Sequence, residues 1–389
     1  MVKGAGELLG LLRHGRSLTR AEIVAASGLA RATVTHRLDA LIEHGFVAVT
    51  PGRHSTGGRP AEELGLNPAR GALLVADIGS SHLRVGIADL AGDLLAVRDH
   101  DVEVADGPGD VLALVRDDMA DLVEEVGVRP DAVLAAAVGV PGPVEHATGR
   151  LVSPPTMPGW DGFDVQEFLR ESFNVPVVVD KDANIMALGE QRALHDLVAD
   201  LLVLKIGMGI GAGIIARGEI LRGSRGAAGD LGHLPREGGA RCRCGQFGCA
   251  EATAGGWAIA EHLRAHGHPQ VRTSSDIVRL AREADPLTVE LLQAAGRRVG
   301  EAVADAVGLL NPAMVIVGGN LAEAGAPLVD GIRQQIFARS HPLATDGLEV
   351  VTSSLGADAG LAGAAQLAAD AGFSTARINA VIGANITFD

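Results

Sequence analysis

The sequence predicts an α/β protein in three parts: a winged helix-turn-helix head, then a body of two like α/β lobes facing a cleft. Three observations carry that expectation. A capped helix, a Gly turn and a second periodic helix open the chain. The 389 residues are 47% apolar and include 52 glycines, which suits two or three domains with tight turns. One pattern also occurs twice, because 73–79 reads like 201–207. The expected bounds are 1–60 for the head, 61–70 for a linker, 71–190 for the first lobe and 191–389 for the second. The final helix is free to return to the first lobe.

In the head, Thr19-Arg20-Ala21-Glu22 has the form of a capping box and opens a helix ending at Ser27-Gly28. A second helix runs from about Arg31 to Glu43, with Val34, Leu38, Leu41 and Ile42 at helical spacing. Arg31, Thr33, Thr35, His36 and Arg37 are left for its outer face and first turns, donors suited to phosphates and base edges. Ala30 stands at its N-cap, where Ser is favoured by about 1 kcal/mol. Gly45–Val49 and a return strand near Leu64 make a wing. Between them Gly58-Arg59-Pro60 is narrow and cationic, a shape for a minor groove. A protein-interaction module with a solvated basic face is the competing reading of these sixty residues.

Charge divides the same way. Residues 1–60 carry eight Lys/Arg against four Asp/Glu, and the other 329 carry 25 against 44, giving +4 and −19. Only the head is therefore suited to operator DNA, and the body repels it. No apolar run reaches about 18 residues, so no membrane partner is expected. Clustered thiols without a secretory signal point to a cytoplasmic protein.

In the body, each copy of the repeat is a buried strand, a Gly turn and a second apolar strand (85–88; 213–216). Gly207, Gly209 and Gly211 let backbone N–H groups approach phosphate, although alternate glycines also mark close strand packing. Val178–Asn184 ends a strand and enters a helix, where Asp182 reads by itself as a helix cap. Trp160 reads as a core aromatic or a stacking platform. All three cysteines, Cys242, Cys244 and Cys249, fall within eight positions, with His233 upstream. Three thiolates and an imidazole complete a tetrahedral set for structural zinc. Buried free thiols and a Cys242–Cys249 disulfide are the alternatives.

Gly232-His233, then Cys-x-Cys-Gly-x-x-Gly-Cys-x-Glu ending at Glu251, resembles the signature of the ROK family of repressors and sugar kinases. The resemblance covers nearly the whole chain, including the Gly-Gly-Arg-Pro segment typical of the repressors. It implies an actin-like (ribonuclease H-like) body with sugar bound between the lobes. By position Asp182 is the family's catalytic base, relevant only if the chain is a kinase. Thr156, Lys181, Asp182, Asp230, His233 and Glu251 fill the sugar positions, with Thr156 and Lys181 each replacing an Asn and Asp230 replacing a Glu.

The nucleotide positions would be Asp77, Gly79, Gly207, Gly209, Gly211, Gly318 and Gly319. There the kinase turn Asp-x-Gly-Gly-Thr-Lys is changed to Asp77-Ile78-Gly79-Ser80-Ser81-His82. A Cβ at Ser80 and a neutral side chain at His82 read as a degraded phosphate loop. The resemblance thus implies a sugar-responsive repressor, a homodimer or homotetramer released from operator DNA by a sugar or phosphosugar. An ATP- and Mg-dependent hexose or amino-sugar kinase is the alternative.

Overall fold

The computed structural model describes residues 5–13, 16–50, 62–194, 197–235 and 239–381. The segment 56–60, with Arg59, lies outside them. The head begins with α1 (Ala5–Leu11), and β1 (Leu18–Thr19) runs straight into α2 (Arg20–Ser27). Thr19 caps α2: its hydroxyl accepts from the Glu22 N–H, and the Glu22 carboxylate accepts from the Thr19 N–H at 2.7 Å. Gly28 ends the helix in the left-handed region, φ 67°. After a short turn comes α3 (Arg31–Glu43), whose Val34, Leu38 and Leu41 are buried. β2 (Val47–Thr50) and β3 (Glu63–Leu66) pair antiparallel as the wing, and β1 pairs with the other edge of β3.

Two five-stranded sheets of one topology form the body. In the first, β4 (Ala72–Ile78), β5 (Leu83–Asp89) and β6 (Leu94–His100) are an antiparallel meander. After α4 (Pro108–Glu125), β7 (Val133–Val140) pairs parallel with β4. The small hairpin β8 (Val144–Glu145) and β9 (Arg150–Leu151) and then α5 (Val165–Phe173) lead to β10 (Val177–Lys181), parallel to β7. α6 (Asp182–Ala193) follows at once.

In the second sheet the meander is β11 (Leu201–Ile206), β12 (Ile210–Ala216) and β13 (Glu219–Ile220). Next come α7 (Glu251–Ala254), α8 (Gly256–Ala265), α9 (Ser274–Arg282) and α10 (Pro286–Leu310). β14 (Met314–Gly318) then pairs parallel with β11. α11 (Ala326–Arg339) and α12 (Pro342–Thr345) precede β15 (Glu349–Thr352), parallel to β14. α13 (Ala359–Gly372) and α14 (Thr375–Val381) come last. The strand orders, β6-β5-β4-β7-β10 and β13-β12-β11-β14-β15, are equivalent. The repeat in the sequence is therefore a repeat in space, with α6 and α13 as its matching helices.

The period of two along each strand sorts the core into layers. On β4, Ala72, Leu74, Ala76 and Ile78 pack outward with α4, while Leu73 and Val75 face inward. On β11, Leu202, Leu204 and Ile206 pack outward with α10, while Leu201 and Val203 face inward. α6 and α13 fill the space between the sheets, and α13 lies on β4 and β7 of the first. The two helices approach so closely that a Cβ on Gly363 would collide with the Ile185 carbonyl. Trp160 is fully buried, its indole N–H donating to the Val104 carbonyl at 2.9 Å, which makes it a core residue.

The head is docked, not dangling. α1 packs on α14, the Thr375 hydroxyl donates to Glu7 at 2.8 Å, and Arg13 pairs with Asp370 while lying over the Phe373 ring. On its other side Arg70 donates to the His44 carbonyl at 2.5 Å and covers the Phe46 ring. One apolar cluster runs from Leu8, Leu38 and Phe46 through Phe373 to Leu73 and Leu201. Among the described residues no helix is long and apolar enough to cross a membrane.

Candidate functional site

The inward side of β4 continues past Leu73 and Val75 to Asp77, and that of β11 continues past Leu201 and Val203 to Lys205. Both strands thus end with a charged side chain aimed into the interlobe space. The Lys205 ammonium lies 3.1 Å from Asp77 Oδ1 and 3.2 Å from Asp77 Oδ2. It also lies 3.1 Å from Asp182 Oδ2 at the start of α6. The other Asp182 oxygen accepts from the Ala183 N–H at 2.7 Å, so the carboxylate is held at the helix N-terminus. Burial disfavours the charge on Lys205, but Asp182 and Asp77 outweigh it and hold its pKa above the ordinary lysine value.

Beside this triad the chain turns through Gly79 to His82. The imidazole lies against Gly79, where a Cβ would collide with it, so the ring fills the hollow that the glycine opens. Burial and the nearby Lys205 charge lower its pKa, which leaves it neutral at pH 7. Gly319 needs its φ of 83° and close approach to Ile206; a Cβ on Gly318 would meet Met186, and one on Gly209 would meet Glu251. Gly207 and Gly211 sit on the β11–β12 hairpin, where the Gly207 carbonyl accepts from the Gly256 N–H at 2.9 Å. A cavity of about 760 Å³ opens next to His82, lined in part by Asp101, Glu103, Asp106 and Asp110.

On the other side of Asp182 the lobes are joined by polar contacts. The Lys181 ammonium donates to the Ala228 carbonyl at 3.0 Å, and Arg222 donates to Asp180 at 2.7 Å. The lysine that reaches Asp182 is therefore Lys205, from the facing sheet, whereas Lys181 spends its donor on backbone. Glu251 is 7% exposed, and its oxygens accept from the Ile210 N–H at 2.8 Å and the Trp257 indole at 3.3 Å. Thr156 is half-buried in a turn and Asp230 is exposed. Lys205, Arg222 and Trp257 escaped the sequence reading. The signal for Lys205 was present: it is a lone charge interrupting a buried strand, at the position matching Asp77 in the repeat.

His233 ends a 3-10 turn that begins just after Asp230, and its ligand atom and the three sulfurs all lie within 4.8 Å of one another. Cys242 Sγ is 3.6 Å from His233 Nδ1, and Cys244 Sγ is 3.7 Å from Cys249 Sγ. Tetrahedral zinc with ordinary bond lengths implies about 3.6 Å between S and N and about 3.8 Å between sulfurs. All three cysteines are free thiols. Burial and the neighbouring Cys244 push the Cys249 thiol up to about 12. The group thus has spacing that a metal ion could use.

On α3, Arg31, Thr35 and His36 are exposed and Thr33 is half-buried. Arg37 corrects the expectation of an outer-face residue, being 6% exposed. Its place explains why: 34, 37, 38 and 41 follow the i, i+3, i+4, i+7 stripe that faces the core.

Comparison with known proteins matches residues 74–371 to the model described as ROK family, and residues 5–51 to the IclR helix-turn-helix domain. A xylose repressor of Caldicellulosiruptor bescii is 27% identical over 91% of this chain and 93% of its own length. A glucokinase of Halalkalibacterium halodurans is 30% identical, over 74% of this chain and 92% of its own. A crystal structure of a ROK family transcriptional regulator, a homolog of the E. coli MLC protein, superposes with TM-score 0.80 at 27% identity. It covers 97% of this chain and 98% of the regulator.

Proposed function

Because this chain belongs to the ROK family and carries an IclR-type helix-turn-helix ahead of the family body, we propose that it is a sugar-responsive transcriptional repressor. The observation that carries this reading is the head itself, with Arg31, Thr35 and His36 presented on α3 and docked to the ROK body. The similar repressor and regulator span head and body, whereas the glucokinase matches over less of the chain. A sugar or phosphosugar held between the lobes near Asp182, His233 and Glu251 favours one closure state. That state alters the head and releases operator DNA. In a homodimer or homotetramer two copies of α3 would enter major grooves about 34 Å apart.

α13 supports a physical route. Its first turn lies against the triad, since a Cβ on Gly360 would collide with Asp77. Its far end holds the head through Asp370, and Phe373 follows at once. Zinc at His233, Cys242, Cys244 and Cys249 would be structural, fixing the His233 ring and the backbone leading to Glu251. The kinase reading has less support, because the Lys205 ammonium pairs with Asp77 and Asp182 and the His82 ring fills the hollow at Gly79.

The test is operator binding by fluorescence anisotropy across a panel of free and phosphorylated sugars. One sugar should weaken binding at least about tenfold, equivalent to about 1.4 kcal/mol of coupling. Operator binding indifferent to every sugar would sink the reading. Sugar-dependent ATP turnover that disappears in Asp182→Asn would establish the kinase alternative.

A further inference from the structure

The geometry points to Lys205 as a resident cation that takes the place of a divalent metal, so that the cleft binds its sugar with neither metal nor nucleotide. This rests on the cleft being the ligand site of the proposed repressor. A divalent ion serving Asp77 and Asp182 together would have to sit between them, within about 2.0–2.6 Å of carboxylate oxygens. The Lys205 ammonium is already there, at 3.1 Å from an oxygen of each. It is brought by the opposite lobe, and it is fixed, because β11 is an interior strand hydrogen-bonded on both edges.

The duplication makes the arrangement legible. Asp77 and Lys205 are matching positions of the two repeats, and in space they meet, one acid and one base. A lysine carries one positive charge where a divalent metal would carry two, so two carboxylates and one ammonium leave the triad at −1. The cavity beyond His82 adds Asp101, Glu103, Asp106 and Asp110 to its lining. Polyphosphate entering there meets net negative charge and a filled Gly79 hollow, whereas an uncharged sugar pays no such penalty.

The experiment is a titration of the zinc-saturated, full-length protein with Mn2+ alone, following free Mn2+ by electron paramagnetic resonance. Wild type and Asp77→Asn should give the same isotherm, because Asp77 has no vacancy to offer. Lys205→Met should gain one site, with Kd in the range of about 10⁻⁴ to 10⁻³ M expected for a site with few ligands. Adding Asp77→Asn to Lys205→Met should remove it.

An Asp77-dependent site in wild type overturns the proposal. So does a folded Lys205→Met protein, native by circular dichroism, that gains no site. If that variant does not fold, Lys205→Gln makes the same comparison, and the wild-type isotherm against Asp77→Asn remains decisive by itself. Operator binding, read separately, tells failure of the repressor reading apart from failure of this one.

Discussion

His82 is a half-buried imidazole whose pKa is depressed from 6.5, first by desolvation and then by the Lys205 charge. The sign of its effect on stability follows directly. As pH falls below about 6.5 the unfolded chain takes up a proton that the folded chain refuses, so stability drops toward the folded pKa, and above about 6.5 this loss is absent. Thermal melts between pH 5 and 7.5 should show the midpoint falling on the acid side, and His82→Asn should flatten part of that slope. An unchanged slope in the variant would mean that other groups set it.

Single positions also show what a linear reading can and cannot see. The Thr19 capping box was legible because it closes within four residues. The Lys205–Asp77 pair joins residues 128 apart; the repeat matches the two positions, but nothing local to either says that they meet in space. Arg37 was a different failure. Its charge suggested the surface, while its spacing from Val34 and Leu38 placed it on the core stripe, and spacing prevailed.

Among elements, α3 and the α6–α13 crossing lead to opposite predictions. Ala30 supplies no side-chain cap to α3, so Ala30→Ser should stabilise the protein by about 1 kcal/mol in denaturant melts, within the usual value of a cap. Gly363→Ala forces a methyl against the Ile185 carbonyl and should cost about 1–3 kcal/mol. Equal midpoints for wild type and Gly363→Ala would show that the helices can separate freely. The repeat of strand, turn and strand was readable because its apolar pattern is contiguous. The sequence left the final helix free to return to the first lobe, but which of two like lobes receives α13 depends on contacts that no local pattern carries. The Cys3His group lay between these cases: its members were visible as a cluster, and only folding showed that their ligand atoms come within 4.8 Å of one another.

At the scale of the whole molecule, the body is two copies of one sheet packed around two matching helices, and the head is fastened to the end of one of them. Arg13→Ala combined with Phe373→Ala should loosen the head while leaving the cleft intact. The expected outcome is operator affinity within a few-fold of wild type, with most of the sugar effect lost. A full sugar response in that double variant would place the route elsewhere. The acidic body is part of the same design. Its negative surface keeps DNA on the head, so raising the salt should weaken operator binding through the head's phosphate contacts, and Arg31→Ala should lower that slope by about 1.

The clasp between α1 and the last two helices also orders events during synthesis. Glu7 meets a hydroxyl 368 residues further along the chain. At about 5–20 residues per second a ribosome needs roughly 20–70 s to cover that distance. Until then the head has its contacts with Arg70 but not those with α14. A chain cut short by a nonsense codon or a stalled ribosome would carry a head held by Arg70 but without the α14 side of the clasp. Coupling of the head to the body through this clasp therefore needs a chain translated through α14.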